Sequence, residues 1–123
     1  MDFVKTDRAP KAIGPYSQAS IINDTVYVSG QLPINMESGQ LETDIEKATL
    51  ASLTNVLEIV KAAGSSLEQI AKVNVFVKNI DDFDKVNAIY ADFFKNHKPA
   101  RALVEVAKLP KDAVIEIEAI AHV

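Results

Sequence analysis

The stretch Pro99-Ala-Arg-Ala-Leu-Val-Glu-Val-Ala-Lys-Leu-Pro-Lys-Asp-Ala-Val-Ile-Glu-Ile-Glu-Ala-Ile-Ala-His-Val123 reads as two β-strands around a Leu109-Pro110-Lys111-Asp112 turn. Ala102, Val104 and Val106 alternate with Arg101, Leu103 and Glu105. Ile115, Ile117 and Ala119 alternate with Glu116 and Glu118. Such alternation marks strands with one apolar face. Aligning the two apolar faces puts Arg101, Glu116 and Glu118 together on the other face. One guanidinium beside two carboxylates can hold a small carboxylate and activate a water next to it. The same residues also read as a solvated face with a surface ion pair of little energetic weight. Pattern alone leaves both readings open.

Working outward, the 123 residues make one domain, 1–123, large enough to bury roughly two-thirds of its unfolded surface. The chain is 48% hydrophobic and 24% charged, ordinary for a globular fold, with a net charge of −4. No basic patch suited to a phosphate backbone is visible, which disfavours nucleic acid as a partner. There are no cysteines, so thiolate catalysis, disulfides and cysteine-ligated metals are excluded. Met1–Asp7 lacks the basic-then-apolar pattern of a secretory signal, and no apolar run approaches a membrane span. A reducing, cytoplasmic setting is the expectation.

No repeat, linker or low-complexity segment interrupts the chain. Ala9–Pro15 carries two prolines and a glycine and reads as an irregular arm. Ser17–Ile22 and Thr25–Ser29 read as strands joined across Asn23-Asp24. A helix is expected from about Asp44 to Ala63, with Leu50, Leu53, Val56, Leu57 and Val60 on its apolar face and Gly64 ending it. Ile70–Val77 reads as a strand. Asp81 or Asp82 caps a second helix reaching Phe94, with Phe83, Val86, Tyr90 and Phe94 on its inner stripe. Lys95–Pro99 leads back to the last two strands. The order β-β-α-β-α-β-β, with a short strand near Phe3, predicts a two-layer α+β domain, two helices on one face of a mixed sheet. The other face, expected to carry Leu103 and Phe76, calls for a second subunit to cover it.

Other residues stand out singly, each with a bland and a functional reading. Tyr16 follows Gly14-Pro15, which restricts its backbone; most such tyrosines only pack. Ser29 and Gly30 at a strand end offer a hydroxyl and a closely approachable N–H, or simply make a turn. Asn87 lies among apolar residues of the second helix and needs a partner. His97 and His122 are not at ligand spacing, so no metal site is expected. No P-loop, nucleophile elbow or GxGxxG occurs.

Taken together, Ala12-Ile-Gly-Pro-Tyr-Ser-Gln-Ala19, Val26-Tyr-Val-Ser-Gly-Gln31, Val86-Asn-Ala-Ile-Tyr90, Pro99-Ala-Arg101 and Leu109-Pro-Lys-Asp112 followed by Ile115-Glu-Ile-Glu-Ala119 resemble the RidA (YjgF) family of imine deaminases. The resemblance implies a chorismate-mutase-like fold, a homotrimer enclosing a central barrel, and ligand pockets between neighbouring subunits. It implies hydrolysis of 2-enamine and 2-imine acids, such as 2-aminoacrylate and 2-aminocrotonate, to 2-keto acids and ammonia, without cofactor or metal. Pyridoxal-phosphate dehydratases would supply those intermediates. By position, Arg101 matches the arginine that clamps the substrate carboxylate and Glu116 the glutamate that positions water. Tyr16, Ser29, Gly30 and Asn87 match pocket positions. Many relatives carry cysteine where this chain has Leu103, so no thiol takes part here, while the Leu103 N–H remains available to a ligand oxygen. The Lys95–Lys98 connection is shorter than in many members. Two competing readings attach to the family: a non-catalytic 2-keto acid sensor and a translation-inhibiting ribonuclease.

Overall fold

The computed structural model describes residues 1–123. Its sheet is built from β1 (Asp2–Val4), β2 (Ala19–Ile22), β3 (Thr25–Gln31), β4 (Ile70–Val77), β5 (Ala100–Glu105) and β6 (Ile115–His122). Two helices, α1 (Ile45–Ala62) and α2 (Phe83–Phe94), pack on one side. The six strands run in the order β1-β2-β3-β6-β4-β5. All pairs are antiparallel except β4 with β5, so the sheet is mixed, as the pattern predicts. No helix is long and apolar enough to cross a membrane.

The local chemistry explains the elements. Asn23 and Asp24 take φ values of 49° and 62°, the left-handed pair that a tight two-residue hairpin needs. Asp44 caps α1 by accepting the Lys47 N–H at 3.0 Å. At its other end Gly64 adopts φ 89°, Gly64 N–H donates to Lys61 O and Ser65 N–H to Val60 O. Those two bonds satisfy carbonyls the helix would otherwise leave open. The entry to α2 differs from expectation. Asp82 occupies the cap position without a side-chain bond, and Asn79 instead accepts the Asp81 N–H at 2.9 Å, holding a preceding helical turn over Ile80–Asp82.

The core lies between sheet and helices. Val26, Val28, Val73, Val75, Val77, Ile115, Ile117 and Ala119 meet Leu53, Val56, Ile59, Val60, Val86 and Phe94 there. The buried stripe of α1 also takes in Thr49, Ser52 and Asn55, whereas Leu50, read as an inward residue, is exposed. Asn55 is kept inside by donating to the Ile34 carbonyl at 2.9 Å, so a polar residue replaces an apolar one on that face. Phe83 is likewise exposed, because it sits at the open start of α2.

The last two strands depart from the sequence reading in two ways. They are not neighbours, since β4 lies between them. The faces are also reversed on β5. Register places Arg101 opposite Val73 and Leu103 opposite Val75, on the helix side, while Ala102 and Val104 lie opposite Asn74 and Phe76 on the open side. Glu118 and Glu116 share that open side, opposite Asn74 and Phe76. Arg101 therefore does not share a face with Glu116 and Glu118, and Leu103 does not face the open side. Counting apolar residues misassigned the strand because both faces of β5 are partly apolar. The open side carries an exposed band that includes Phe3, Tyr27 and Val104, at 66%, 46% and 45% exposure.

Candidate functional site

Arg101 and Glu116 build two separate half-sites. Arg101 projects from the edge strand β5 toward α2. Its Nη1 donates to Asn87 Oδ1 at 2.7 Å. Its guanidinium carbon stands 4.7 Å from the Tyr90 ring centroid and 5.9 Å from that of Phe83. This accounts for the polar Asn87 on an otherwise apolar stripe: its partner is the guanidinium. No carboxylate pairs with Arg101. The one side-chain ion pair in the molecule is Lys78–Asp112, exposed and remote in the fold from Arg101. A half-buried cation whose charge-assisted donors are not taken by an acid is prepared for an external anion. A cleft of about 290 Å³ opens beside it, bounded by Asn87, Tyr90, His97, Lys98 and Pro99. The Tyr90 hydroxyl is pushed to a higher pKa by burial, partly offset by the Arg101 charge.

Glu116 occupies the other half-site, on the open side of the sheet. The sequence turns here on a bulge. Val28 pairs with Ala119 and Gln31 with Ile117, so Ser29 and Gly30 occupy one residue more than their partner strand. A bulge of this kind bends the strand and re-aims its neighbours. Gly30 lies directly against the Glu116 carboxylate: any Cβ at position 30 would overlap it. The glycine thus makes room for the acid rather than merely turning the chain. Burial raises the Glu116 pKa above its ordinary value of 4.5, and the like charge of Glu118 raises it further. Glu118 is fixed by Asn74 Nδ2, which donates to it at 3.0 Å. The cleft at Glu116 measures about 550 Å³ and is bounded by Tyr16, Gly30, Gln31 and Lys111 among others.

The remaining candidates fall around this second half-site or on the first. Tyr16 is held by a turn in which its N–H donates to Gly14 O at 3.0 Å, and Gly14 takes φ 128°, which only glycine adopts easily. Ser29 Oγ donates to Ser17 O at 2.6 Å, so the hydroxyl fastens the strand to the arm and offers only lone pairs outward. Leu103 stays with Arg101 on β5. Arg101 and Glu116 are two strands apart, roughly 10 Å sideways, and on opposite faces. A small acid cannot touch both within one chain.

Sequence reasoning passed over some residues here. Gln18 is buried, donates to the carbonyls of Thr6 and Pro10 at 3.0 and 2.8 Å, and accepts the Thr6 N–H at 2.7 Å. It ties down the arm whose Pro10, Lys11 and Ile13 wall the Glu116 cleft. Tyr90 is expected only to pack on the inner stripe of α2, yet Phe83, Asn87 and Tyr90 recur at helical spacing and so share one face. No group of three or more His, Asp or Glu residues could hold a metal ion. His97 Nε2 and His122 Nδ1 each face a backbone carbonyl, those of Ile70 and Asp24.

The model of the endoribonuclease L-PSP family matches residues 6–123. A 2-iminobutanoate/2-iminopropanoate deaminase of Escherichia coli K12 is 48% identical over 121 residues, covering 96% of this chain and 94% of that protein. The crystal structure of the E. coli YjgF gene product superimposes with a TM-score of 0.95 at 46% identity, over 99% of this chain and 98% of that one. The structure of E. coli TdcF with bound serine gives a TM-score of 0.95 at 42% identity, over 100% and 98% of the two chains.

Proposed function

The chain belongs to the endoribonuclease L-PSP family, which takes in the E. coli YjgF protein, and on that premise we propose that it is a 2-iminobutanoate/2-iminopropanoate deaminase. It hydrolyses 2-aminoacrylate and 2-aminocrotonate, through their imine tautomers, to 2-keto acids and ammonia. The observation that carries this reading is the guanidinium of Arg101, held by Asn87 and Tyr90 and left without an acid partner. It is suited to an α-carboxylate. The E. coli relative's name supplies the substrate class, and the serine bound by TdcF carries the same α-carboxylate.

The working unit is a homotrimer with each site between neighbours. Arg101 of one subunit then faces Glu116 of the next, because one chain cannot bring them together. The apolar band on the open side, including Phe3, Tyr27 and Val104, is what such an assembly would cover. In the joint site Arg101 grips the carboxylate bidentately. The protonated imine carbon is then electrophilic, and a water set by Glu116 adds to it. Glu116 takes one water proton as the carbinolamine forms and passes it to nitrogen, then takes the remaining hydroxyl proton as the C–N bond breaks to give the keto acid, and hands that proton to the departing ammonia, which leaves as ammonium. Water in and ammonia out leave the substrate's overall oxidation level unchanged, so no redox cofactor is required. Placement of the water supplies much of the barrier reduction. The substrate must come from dehydratases that release enamines, the pyridoxal-phosphate class.

A carboxylate beside the bound anion would weaken a pure keto-acid sensor, so Glu116 favours turnover over sensing. RNA cleavage fits poorly with a net charge of −4. The decisive experiment generates 2-aminocrotonate with a threonine dehydratase and follows 2-ketobutyrate release. Addition of this protein should accelerate release in proportion to its concentration, and light scattering should return three times the chain mass of 13.4 kDa. An unchanged rate would overturn the activity. A stable monomer at micromolar concentration would overturn the shared site.

A further inference from the structure

Arg101 has a long flexible side chain, yet it is not free. Phe83, Asn87 and Tyr90 stand on one stripe of α2 and form a cradle for it. Asn87 takes one N–H at 2.7 Å, and the Tyr90 ring lies nearest, 4.7 Å from the guanidinium carbon. Phe83, at 5.9 Å and 40% exposed, contributes less. The Tyr90 ring is itself anchored. It is 9% exposed, and the Phe94 ring backs it at 4.6 Å between centroids, tilted by 40°. A rigid aromatic face beside a cation attracts it without neutralising its charge. A carboxylate in the same place would hold Arg101 as firmly but would compete with any anionic ligand. The Tyr90 hydroxyl makes no hydrogen bond, so the ring and not the hydroxyl carries the contact.

We propose that Tyr90 is the positioning residue of Arg101: its ring face fixes the guanidinium plane so that the free fork meets a substrate carboxylate already oriented. This rests on the reading that Arg101 binds that carboxylate. The gain is preorganisation, since the side chain pays less ordering entropy when the ligand arrives. Tyr90 acts on affinity and leaves the chemical step to Glu116.

The test uses the intact oligomer with Tyr90→Phe, which keeps the ring, and Tyr90→Leu, which removes it. Tyr90→Met, similar in volume and ringless, takes the place of Tyr90→Leu if that variant does not assemble. A ¹H–¹⁵N spectrum of the arginine Nε–H groups reads positioning directly, with the Arg101 signal identified by its loss in Arg101→Lys. The ring current should shift that signal in the wild type and in Tyr90→Phe, and the shift should vanish without the ring. Calorimetry with 2-ketobutyrate should give a Kd within about twofold for Tyr90→Phe and about tenfold weaker for the ringless variant. KM for the imine should rise in parallel while kcat at saturation stays near the wild-type value. An unmoved Arg101 signal and Kd in the ringless variant would overturn the proposal. So would a Tyr90→Phe variant as impaired as the ringless one, which would transfer the role to the hydroxyl. If the wild type fails to bind 2-ketobutyrate while its Arg101 signal still depends on the ring, the positioning role stands and the deaminase reading falls.

Discussion

Arg101→Ala is expected to abolish 2-keto acid binding and, with it, imine hydrolysis under any practical substrate concentration. On the proposed reading the guanidinium would meet the carboxylate in the ground state and in the transition state alike, so its loss would remove binding common to both. Truncating one partner of a desolvated charge pair costs on the order of 2–5 kcal/mol, which corresponds to roughly 30- to 4,000-fold in affinity. Arg101→Lys should recover little of this. An ammonium is a point charge, cannot make the bidentate fork, and would not hold the Asn87 bond and the Tyr90 ring contact together. Folding should survive, because Arg101 makes no ion pair and only one side-chain hydrogen bond. Calorimetry with 2-ketobutyrate on a variant shown to keep its oligomeric state measures the effect. Wild-type affinity in Arg101→Ala would mean that the carboxylate is held elsewhere, and the functional reading built on this side chain would fall.

The pattern that made the fold legible is the same one that misplaced Arg101. Strands with a single apolar face, such as Ile70–Val77, are read at their observed bounds, because burial on one side leaves a period-two signature. The helix of α1 is legible for a related reason: Asp44 and Gly64 are chemically suited to its ends, and both sit there. β5 lacks that signature. As an edge strand it is covered on the helix side only in part, so a charged Arg101 is tolerated there beside α2, while Ala102 and Val104 look out from the open side. Apolarity on that open side is consistent with a face meant for another protein surface, and a single sequence does not label which apolar face is which.

The candidate site was legible by residue and not by geometry. Asn87 announced itself as a polar residue on an apolar stripe, and its partner proved to be Arg101. Gly30 announced an approachable N–H or a turn, but not the neighbour it accommodates. That its missing Cβ makes room for Glu116 depends on the bulge that brings Ser29-Gly30 beside β6, a long-range pairing that composition does not encode. Gln18 carried no signal, because a buried glutamine is recognised only when the arm it binds is in place. Tyr90 was visible as an aromatic at helical spacing from Asn87, but its cation partner comes from another element. Local chemistry is thus written along the chain, whereas the meeting of residues from different strands is written in register.

Glu116→Gln should separate turnover from binding. Glutamine keeps the size of the side chain beside Gly30 but cannot accept a proton from water. Loss of a general base typically costs about 100- to 10,000-fold in rate, and 2-ketobutyrate affinity should be largely kept, since Arg101 is untouched. The pH profile gives an independent sign. Burial first, and Glu118 second, raise the Glu116 pKa, so the protonated, inactive form persists to higher pH than for an ordinary glutamate of 4.5. Wild-type activity should therefore fall, as pH is lowered, earlier than 4.5, and Glu118→Gln should move that limb to lower pH. Stability runs the other way. A folded pKa above the unfolded one means that the folded state favours the proton. The resulting contribution is complete below the unfolded pKa and is lost as pH rises through the folded one. At neutral pH the ionised, half-buried Glu116 thus works against folding, and Glu116→Gln should melt at a higher temperature than wild type while turning over far more slowly. That trade is expected of a charge kept for chemistry rather than for packing. A variant with normal turnover and an unchanged Tm would show Glu116 to be an ordinary surface carboxylate, and water would then have to be activated by some other group.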